Sequence, residues 1–409
     1  MNYNNVLKYY NSSLSLDIPK SISSAILNFY NADSVANITR EEKSIVKRNI
    51  GKMFSQSNVE YANCWREYAL YYLPINFYKI WRPLTDLIKQ SQLKEKLKVL
   101  ELGCGPGTST LGLIEFYVHL AKENADRKFE INITVIEREK EFLKIFKSIY
   151  DEYKKELPSN LVVKIVAHNK EVNEDFSLDN IQKYDLIIES NMLNPNEKGE
   201  KEKIHNSLIN LFESVMDKHS SAILIEPAQK QINKELKEFK NKILSKGFNV
   251  YSPCCYECNE CTQFASAKVF FDKVALVDDL KKQGLITISK NFHSFEYLVV
   301  RKDGLKMHQL VANKISLNEI SSHVGEYINF NAQVISYSKN EEALSIKICD
   351  GTLDCGKEIW FSVSNELCRK YFSNSVEIER GCYIEVKQAK VSSYKNISCE
   401  IRTKLKIMR

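Results

Sequence analysis

The stretch VLELGCGPGTST, residues 99 to 110, constrains what this chain can fold into more than any other. An apolar run, KVLEL, leads into Gly103, Gly105 and Gly107, and a helical pattern begins at Thr108. Glycines at alternate positions let the backbone turn tightly and let a ligand approach with no Cβ in the way. A ligand carboxylate or phosphate at such a loop also meets free amides at the helix start. Strand, glycine turn and helix in this order fit the opening unit of an α/β fold.

The residues after the loop repeat the same alternation. Short apolar runs, INITVIE, LVVKIVA, YDLIIES and SAILIEP, are separated by helical stretches such as LGLIEFYVHLAKENADRKF and SLINLFESVMDK. Continuous β-branched and leucine runs suit strands buried on both faces, and helical crossovers between them imply a parallel sheet. A Rossmann-like α/β domain over residues 96–308 follows, with FHSFEYLVVRKDG placed to close the sheet. Residues 1–95 read as a helical region, because SISSAILNFYNADSVANI, REEKSIVKRNIGKMFSQ and YANCWREYALYYLPINFYKIWRPLTDLIKQ carry apolar residues at three- and four-residue spacing.

After about residue 309 the pattern changes to strands. YINFNAQVISYSKN, EALSIKICDGT, KEIWFSV, CYIEVKQAKVSSYKN and ISCEIRTKLKIM are strand-like, with the helical piece NELCRKYFSN between the third and fourth. That order predicts a small OB-fold-like β-barrel over 309–409. Residues 381 to 409 also carry seven Lys or Arg (Lys387, Lys390, Lys395, Arg402, Lys404, Lys406 and Arg409) against two acids. Trp360, Phe361, Tyr337, Tyr383 and Tyr394 lie among or near them. Such barrels stack bases on aromatics while basic groups track phosphates, so RNA is an expected partner; packing of the aromatics into the barrel core is the alternative for each of them.

A chain of 409 residues is long for one core and fits two or three domains. Its 44% hydrophobic and 27% charged residues are those of an ordinary globular protein, and no apolar run approaches the roughly 18 residues of a membrane span. The first twenty residues lack a secretory apolar core and contain no Arg, so a cytoplasmic, reducing location is expected. The net charge of +6 permits a nucleic-acid partner without requiring one.

Reducing surroundings bear on the cysteines. Of eleven, four fall in YSPCCYECNECTQF, residues 251–264: Cys254, Cys255, Cys258 and Cys261. Adjacent cysteines do not bond each other without straining the backbone. A C-C-x2-C-x2-C run can instead converge thiolates on Zn2+ or on an iron–sulfur cluster. Free thiols on a surface loop remain the alternative, and a thioredoxin-like pair fits less well because no helix opens here.

Glu101, two residues before Gly103, gives the loop the form E-x-G-x-G-x-G, which resembles motif I of class I S-adenosylmethionine-dependent methyltransferases. On that resemblance Glu101, Gly103, Gly105 and Gly107 are cofactor-binding residues. Glu137, ending INITVIE, is placed to accept hydrogen bonds from both ribose hydroxyls. His168 and Asn169 stand where such enzymes contact the adenine. A nicotinamide dinucleotide and a turn that serves only packing are the competing explanations of the loop. After YDLIIES comes NMLNPN, where amino-methylating members of the class carry an Asn/Asp-Pro-Pro-aromatic motif. Asn191 and Asn194 are the catalytic candidates, although the second proline and the aromatic are missing and a plain turn fits as well.

Glu226 and Pro227 after the fifth run, then Pro253 and Cys254, and the segment YALYYLPINFYKIW resemble a narrower group. It is the small-ribosomal-subunit methyltransferase-like family of mitochondria and bacteria, over roughly residues 20 to 305. The resemblance implies S-adenosylmethionine, an iron–sulfur cluster on the cysteines, and the small ribosomal subunit or its RNA as partner. The family's Cys-His-Phe segment is absent, so all four metal ligands would be local or one would come from the barrel. The expectation is an S-adenosylmethionine-dependent methyltransferase acting on RNA, with ribosomal RNA or the small ribosomal subunit as the expected acceptor. A non-catalytic ribosome assembly factor and a small-molecule methyltransferase are the alternatives.

Overall fold

The structure is a computed structural model describing residues 1–11, 16–55, 61–172, 182–193, 200–254, 267–307, 312–354, 357–371, 378 and 382–408. The chain forms two compact units: Met1–Pro227 with Lys268–Phe295, and Ala228–Ala267 with Glu296–Arg409. The segment read as 96–308 from sequence contributes to both.

The first unit opens with helices α1 (Asn4–Asn11), α2 (Lys20–Asn28), α3 (Arg40–Ser55), α4 (Trp65–Asn76) and α5 (Trp81–Lys89). Strand β1 (Lys96–Leu102) follows, then α6 (Thr108–Glu123), β2 (Phe129–Glu137), α7 (Lys140–Tyr153), β3 (Leu161–Asn169), β4 (Tyr184–Ser190), α8 (Glu200–Val215) and β5 (Met216–Pro227). Their apolar runs behave as expected of strands covered on both faces: Leu97, Val99, Leu100 and Leu102 of β1 are all buried. In α7 the buried residues Phe142, Ile145, Phe146, Ile149 and Tyr153 recur at helical spacing and form the face that packs inward. The helical region is tied to the sheet's first crossover, because Trp81 Nε1 donates to the Gly112 carbonyl of α6 at 2.9 Å.

The five strands lie in the order β3-β2-β1-β4-β5. Every pairing among them is parallel, with Val99 opposite both Ile133 and Leu186. This is a Rossmann-like doubly wound sheet. From β1 the chain builds outward to β3, then returns to β1's other side to lay down β4 and β5. The direction of winding therefore reverses between β1 and β4, and ligands of such sheets sit outside the carboxyl ends of the strands at that reversal.

Next come α9 (Lys230–Ser245), β6 (Asn249–Ser252), β7 (Ala267–Phe270), α10 (Ala275–Lys282) and β8 (Phe292–Arg301). Within the second unit, β6 runs antiparallel to the end of β8, with Asn249 opposite Arg301.

The rest of that unit is a barrel of β9 (Tyr327–Lys339), β10 (Ala343–Cys349), β11 (Ile359–Ser364), β12 (Tyr383–Ser393) and β13 (Asn396–Ser398). The ring β9-β10-β11-β13-β12 closes back on β9, and β11–β13 is its one parallel pairing. Helix α11 (Asn365–Tyr371) sits between the third and fourth strands, as the sequence pattern predicts. The expected fifth strand, ISCEIRTKLKIM, is broken in two. Thr403 Oγ1 accepts from the Glu400 amide at 2.9 Å and turns the chain, so β13 closes the ring while β14 (Lys404–Met408) pairs with β12. The barrel's core is apolar, with Phe330 and Phe361 edge to face at 5.6 Å between Ile346, Val363 and Val386. Among the described residues, no helix is long and apolar enough to cross a membrane.

Candidate functional site

At the carboxyl end of β1 the glycine loop takes the shape its sequence demands. Gly103, Gly105 and Gly107 have φ of +63°, +54° and +84°, a left-handed backbone that side chains disfavour. Their surroundings differ. A Cβ on Gly107 would collide with the Phe146 ring of α7, and one on Gly103 would stand 2.7 Å from Met192 Sδ. A Cβ on Gly105 would meet nothing within 4 Å. The middle glycine thus borders open space at the reversal point of the sheet, while the outer two are closed in by protein.

Glu137 ends β2 and fastens this loop. Its Oε2 accepts from the Gly105 amide at 2.8 Å and its Oε1 from the Glu139 amide at 2.8 Å. Burial raises its pKa from the ordinary value, and the two amide bonds oppose that rise. A carboxylate oxygen has two lone pairs, so each oxygen keeps acceptor capacity for a vicinal diol. Glu101 faces the other way. It is buried, accepts from the Thr110 hydroxyl of α6, and has its pKa pushed up to about 8 by burial. At neutral pH it is a protonated brace between β1 and α6. Asn169 is exposed at the end of β3, and its Nδ2 donates to the carbonyls of Glu137 (3.0 Å) and Arg138 (2.7 Å). It therefore shapes the chain just after Glu137.

The fit of S-adenosylmethionine to these residues is favourable. Gly105 leaves a cradle that a Cβ would fill, and Glu137 offers the acid that a ribose needs. Gly105 and Glu137 would hold the group; Gly103 and Gly107, closed in by Met192 and Phe146, would shape the loop, and Glu101 and Asn169 would brace their surroundings.

Past β4, Asn191 is exposed and holds φ of +63°. Asn194, with Pro195 and Asn196, lies outside the described residues. Around this turn the structure gathers groups that the sequence reading did not assign to a site. Glu189 and Glu226 stand next to the ends of β4 and β5; both are fully buried. Lys79, also buried, is held near Glu226, and burial lowers its pKa to about 8. His293, at the start of β8, is pushed down to about 4 by burial and by Lys79, and is neutral at pH 7. The available signal was an acid closing each of two apolar strands, in YDLIIES and SAILIEP.

Of the cysteine cluster, Cys254 is described and half-buried; Cys255, Cys258 and Cys261 lie outside the described residues. It follows Pro253, whose carbonyl accepts from Gln333 Nε2 of β9, and Gln333 pairs across the ladder with Cys349. Among the described residues, no group of three or more His, Cys, Asp or Glu could hold a metal ion.

No protein-family model matches the sequence, and no curated protein matches it. Solved structures do. The chain is similar to the methyltransferase domain of bacterial CtHen1-CN at 14% identity and a TM-score of 0.32, over 56% of this chain and 99% of that one. A methyltransferase from Pyrococcus furiosus matches at 14% identity and a TM-score of 0.30, over 64% and 98%. The glycopeptide N-methyltransferase MtfA, solved with S-adenosyl-L-homocysteine, matches at 9% identity and 0.33, over 55% and 89%. At these scores the Rossmann-like order of the first unit stands on its own strand pairings.

Proposed function

We propose that this chain is an S-adenosylmethionine-dependent methyltransferase that acts on RNA. The observation that carries the reading is Glu137 holding the glycine loop at the sheet's reversal point, with open space beside Gly105. When bound, the sulfonium supplies an already activated methyl group. The work left to the chain is orientation of cofactor and acceptor, which by itself accounts for a large part of such rate enhancements. Gly105 and Glu137 would orient the cofactor, and Asn191 borders the acceptor side.

RNA as acceptor is supported by the barrel, which we read as OB-type. Tyr337 and Tyr394 are exposed and Trp360 is half-exposed, whereas Phe361 and Tyr383 are buried in the core. Lys395 Nζ lies 5.4 Å from the Tyr394 ring centroid, pairing a cation with an exposed stacking face. Ribosomal RNA of the small subunit is the acceptor we favour, and a metal-holding role for Cys254, Cys255, Cys258 and Cys261 is part of the same reading. Titration with S-adenosylhomocysteine, followed by transfer of a labelled methyl group to total RNA, tests it. Absence of binding at millimolar cofactor would end it. Metal content and the visible spectrum of anaerobically purified protein test the cysteines separately.

One observation favours a non-catalytic assembly factor. Met192 packs directly on Gly103, and NMLNPN lacks the residues that hold a target amine. Co-sedimentation with small-subunit particles that is unchanged by Glu137→Ala, with no methyl transfer by the wild type, would select that alternative.

A further inference from the structure

Two buried acids outside the glycine loop converge on one short segment. Glu189 Oε1 accepts from the Met192 amide at 2.7 Å, and Glu226 Oε1 accepts from the Leu193 amide at 2.9 Å. The Ile225 carbonyl accepts from the Asn191 amide at 2.9 Å. The amides of Asn191, Met192 and Leu193 are thus all held by the ends of β4 and β5. The segment matters to the glycine loop because the Met192 side chain lies on Gly103.

The second oxygens of the two acids are the unusual part. Oε2 of Glu189 and Oε2 of Glu226 are buried with no donor from any other group among the described residues. The two carboxyls lie within hydrogen-bonding reach of each other. Two ionised carboxylates so placed would repel and leave four acceptors facing two donors. A proton between them converts the repulsion into an O–H···O⁻ bond, among the stronger hydrogen bonds available to a side chain. The charged group facing the pair is Lys79, ahead of α5, which favours the ionised form of Glu226; His293 of β8 lies near Lys79 and is neutral.

We propose that Glu189 and Glu226 share one proton and act as a positioning pair that fixes Asn191–Leu193 against the glycine loop, so that cofactor affinity follows the protonation of the pair. The inference rests on reading that loop as the S-adenosylmethionine site. Glu189 carries the proton and donates to Glu226, whose charge is offset by Lys79. Burial moves both acids upward, Glu226 to about 7 and Glu189 well above its ordinary value. Above about 7 Glu226 is ionised, and loss of the Glu189 proton at higher pH sets the two charges against each other.

The test combines hydrogen exchange at the Met192 and Leu193 amides with S-adenosylhomocysteine titration on the full chain, from about pH 7.5 upward as far as it stays folded. In the wild type, protection and affinity are expected to fall together by about tenfold or more as rising pH removes the Glu189 proton, one pKa unit's worth of interaction or greater. A wild type that shows no joint fall overturns the proposal. Glu189→Gln supplies a permanent N–H donor in place of the proton and keeps an acceptor for Met192. It is expected to keep only the smaller fall that follows loss of the Lys79 charge, whose pKa of about 8 lies in the same range. Glu189→Ala is expected to lose the protection already at the lower pH. The proposal is overturned if Glu189→Gln reproduces the wild-type fall, or if Glu189→Ala stays folded and keeps the protection. Should Glu189→Ala not fold, the Gln variant alone decides. Protection that behaves as stated in a protein that binds no S-adenosylhomocysteine would sink the cofactor reading and leave the shared proton standing.

Discussion

Gly105 and Gly107 share a left-handed backbone but differ in what surrounds them, and substitution separates the two effects. Gly107→Ala forces a methyl group into the Phe146 ring on top of an unfavourable φ. It should cost about 3 kcal/mol of stability, read by urea denaturation. Gly105→Ala meets no protein atom and should cost only about 1–2 kcal/mol, the backbone term alone. Its S-adenosylhomocysteine affinity should nevertheless fall by at least about tenfold, because the methyl group occupies the cradle. Glu137→Gln keeps the shape of the side chain but removes its charge from two backbone amides and from the ribose that a cofactor would place there. Calorimetric titration is expected to show a loss of about 1.5–3 kcal/mol in cofactor binding, the worth of a charged hydrogen bond. Unaltered affinity in that variant would place the ligand elsewhere. The glycines and Glu137 were legible in the sequence because each serves a local need: a turn directly after a strand, or an acid directly at a strand's end. Asn169 was legible in place but not in purpose, since its partners are the carbonyls of Glu137 and Arg138 on the neighbouring strand's exit.

Between elements, Glu101 joins β1 to α6 through Thr110. Its carboxyl is raised from 4.5 to about 8. An acid raised on folding contributes its full stability below the unfolded value and loses it as pH rises through the folded one. The melting temperature is therefore expected to fall between about pH 5 and about pH 9, and Glu101→Gln should flatten that slope in a thermal scan. A slope unchanged by the substitution would mean that Glu101 is ionised in the folded protein. Apolar runs mark the parallel strands clearly, since strands covered on both faces have few polar positions to confuse the pattern. The end of the barrel was read less well. ISCEIRTKLKIM alternates like one strand, yet Thr403 and Glu400 close a turn inside it. Alternation reports which face is buried, and it does not report a bond that a side chain makes three residues away.

For the molecule as a whole, the question is where RNA would lie. If the barrel stacks bases, Tyr394→Ala should weaken binding of a single-stranded oligonucleotide by about 1–3 kcal/mol, measured by fluorescence anisotropy. Lys395→Ala should reduce the slope of log affinity against log salt by about 1, as loss of one phosphate contact requires. Phe361 and Tyr383 serve as internal contrasts: both are buried, so their truncation should lower stability instead. Equal RNA affinity in the Tyr394 and Lys395 variants would move the contact off this surface.

What the chain's sequence determined by itself was local: the glycine turn, the acid at the end of the second strand, the alternation of strand and helix, and the five-strand pattern of the C-terminal barrel. Each follows from conformational preference or burial within a few residues. Only the tertiary structure decided the strand order, and with it which strand ends are neighbours. The folded chain places Glu189 beside Glu226, brings Lys79 to Glu226 and His293 to Lys79, and sets Met192 on Gly103. The physical reason is that these groups meet through non-local pairing, where each residue's own pattern is satisfied equally well by other neighbours. In the sequence Glu189 and Glu226 are acids closing two apolar runs; in the folded sheet they are one buried pair.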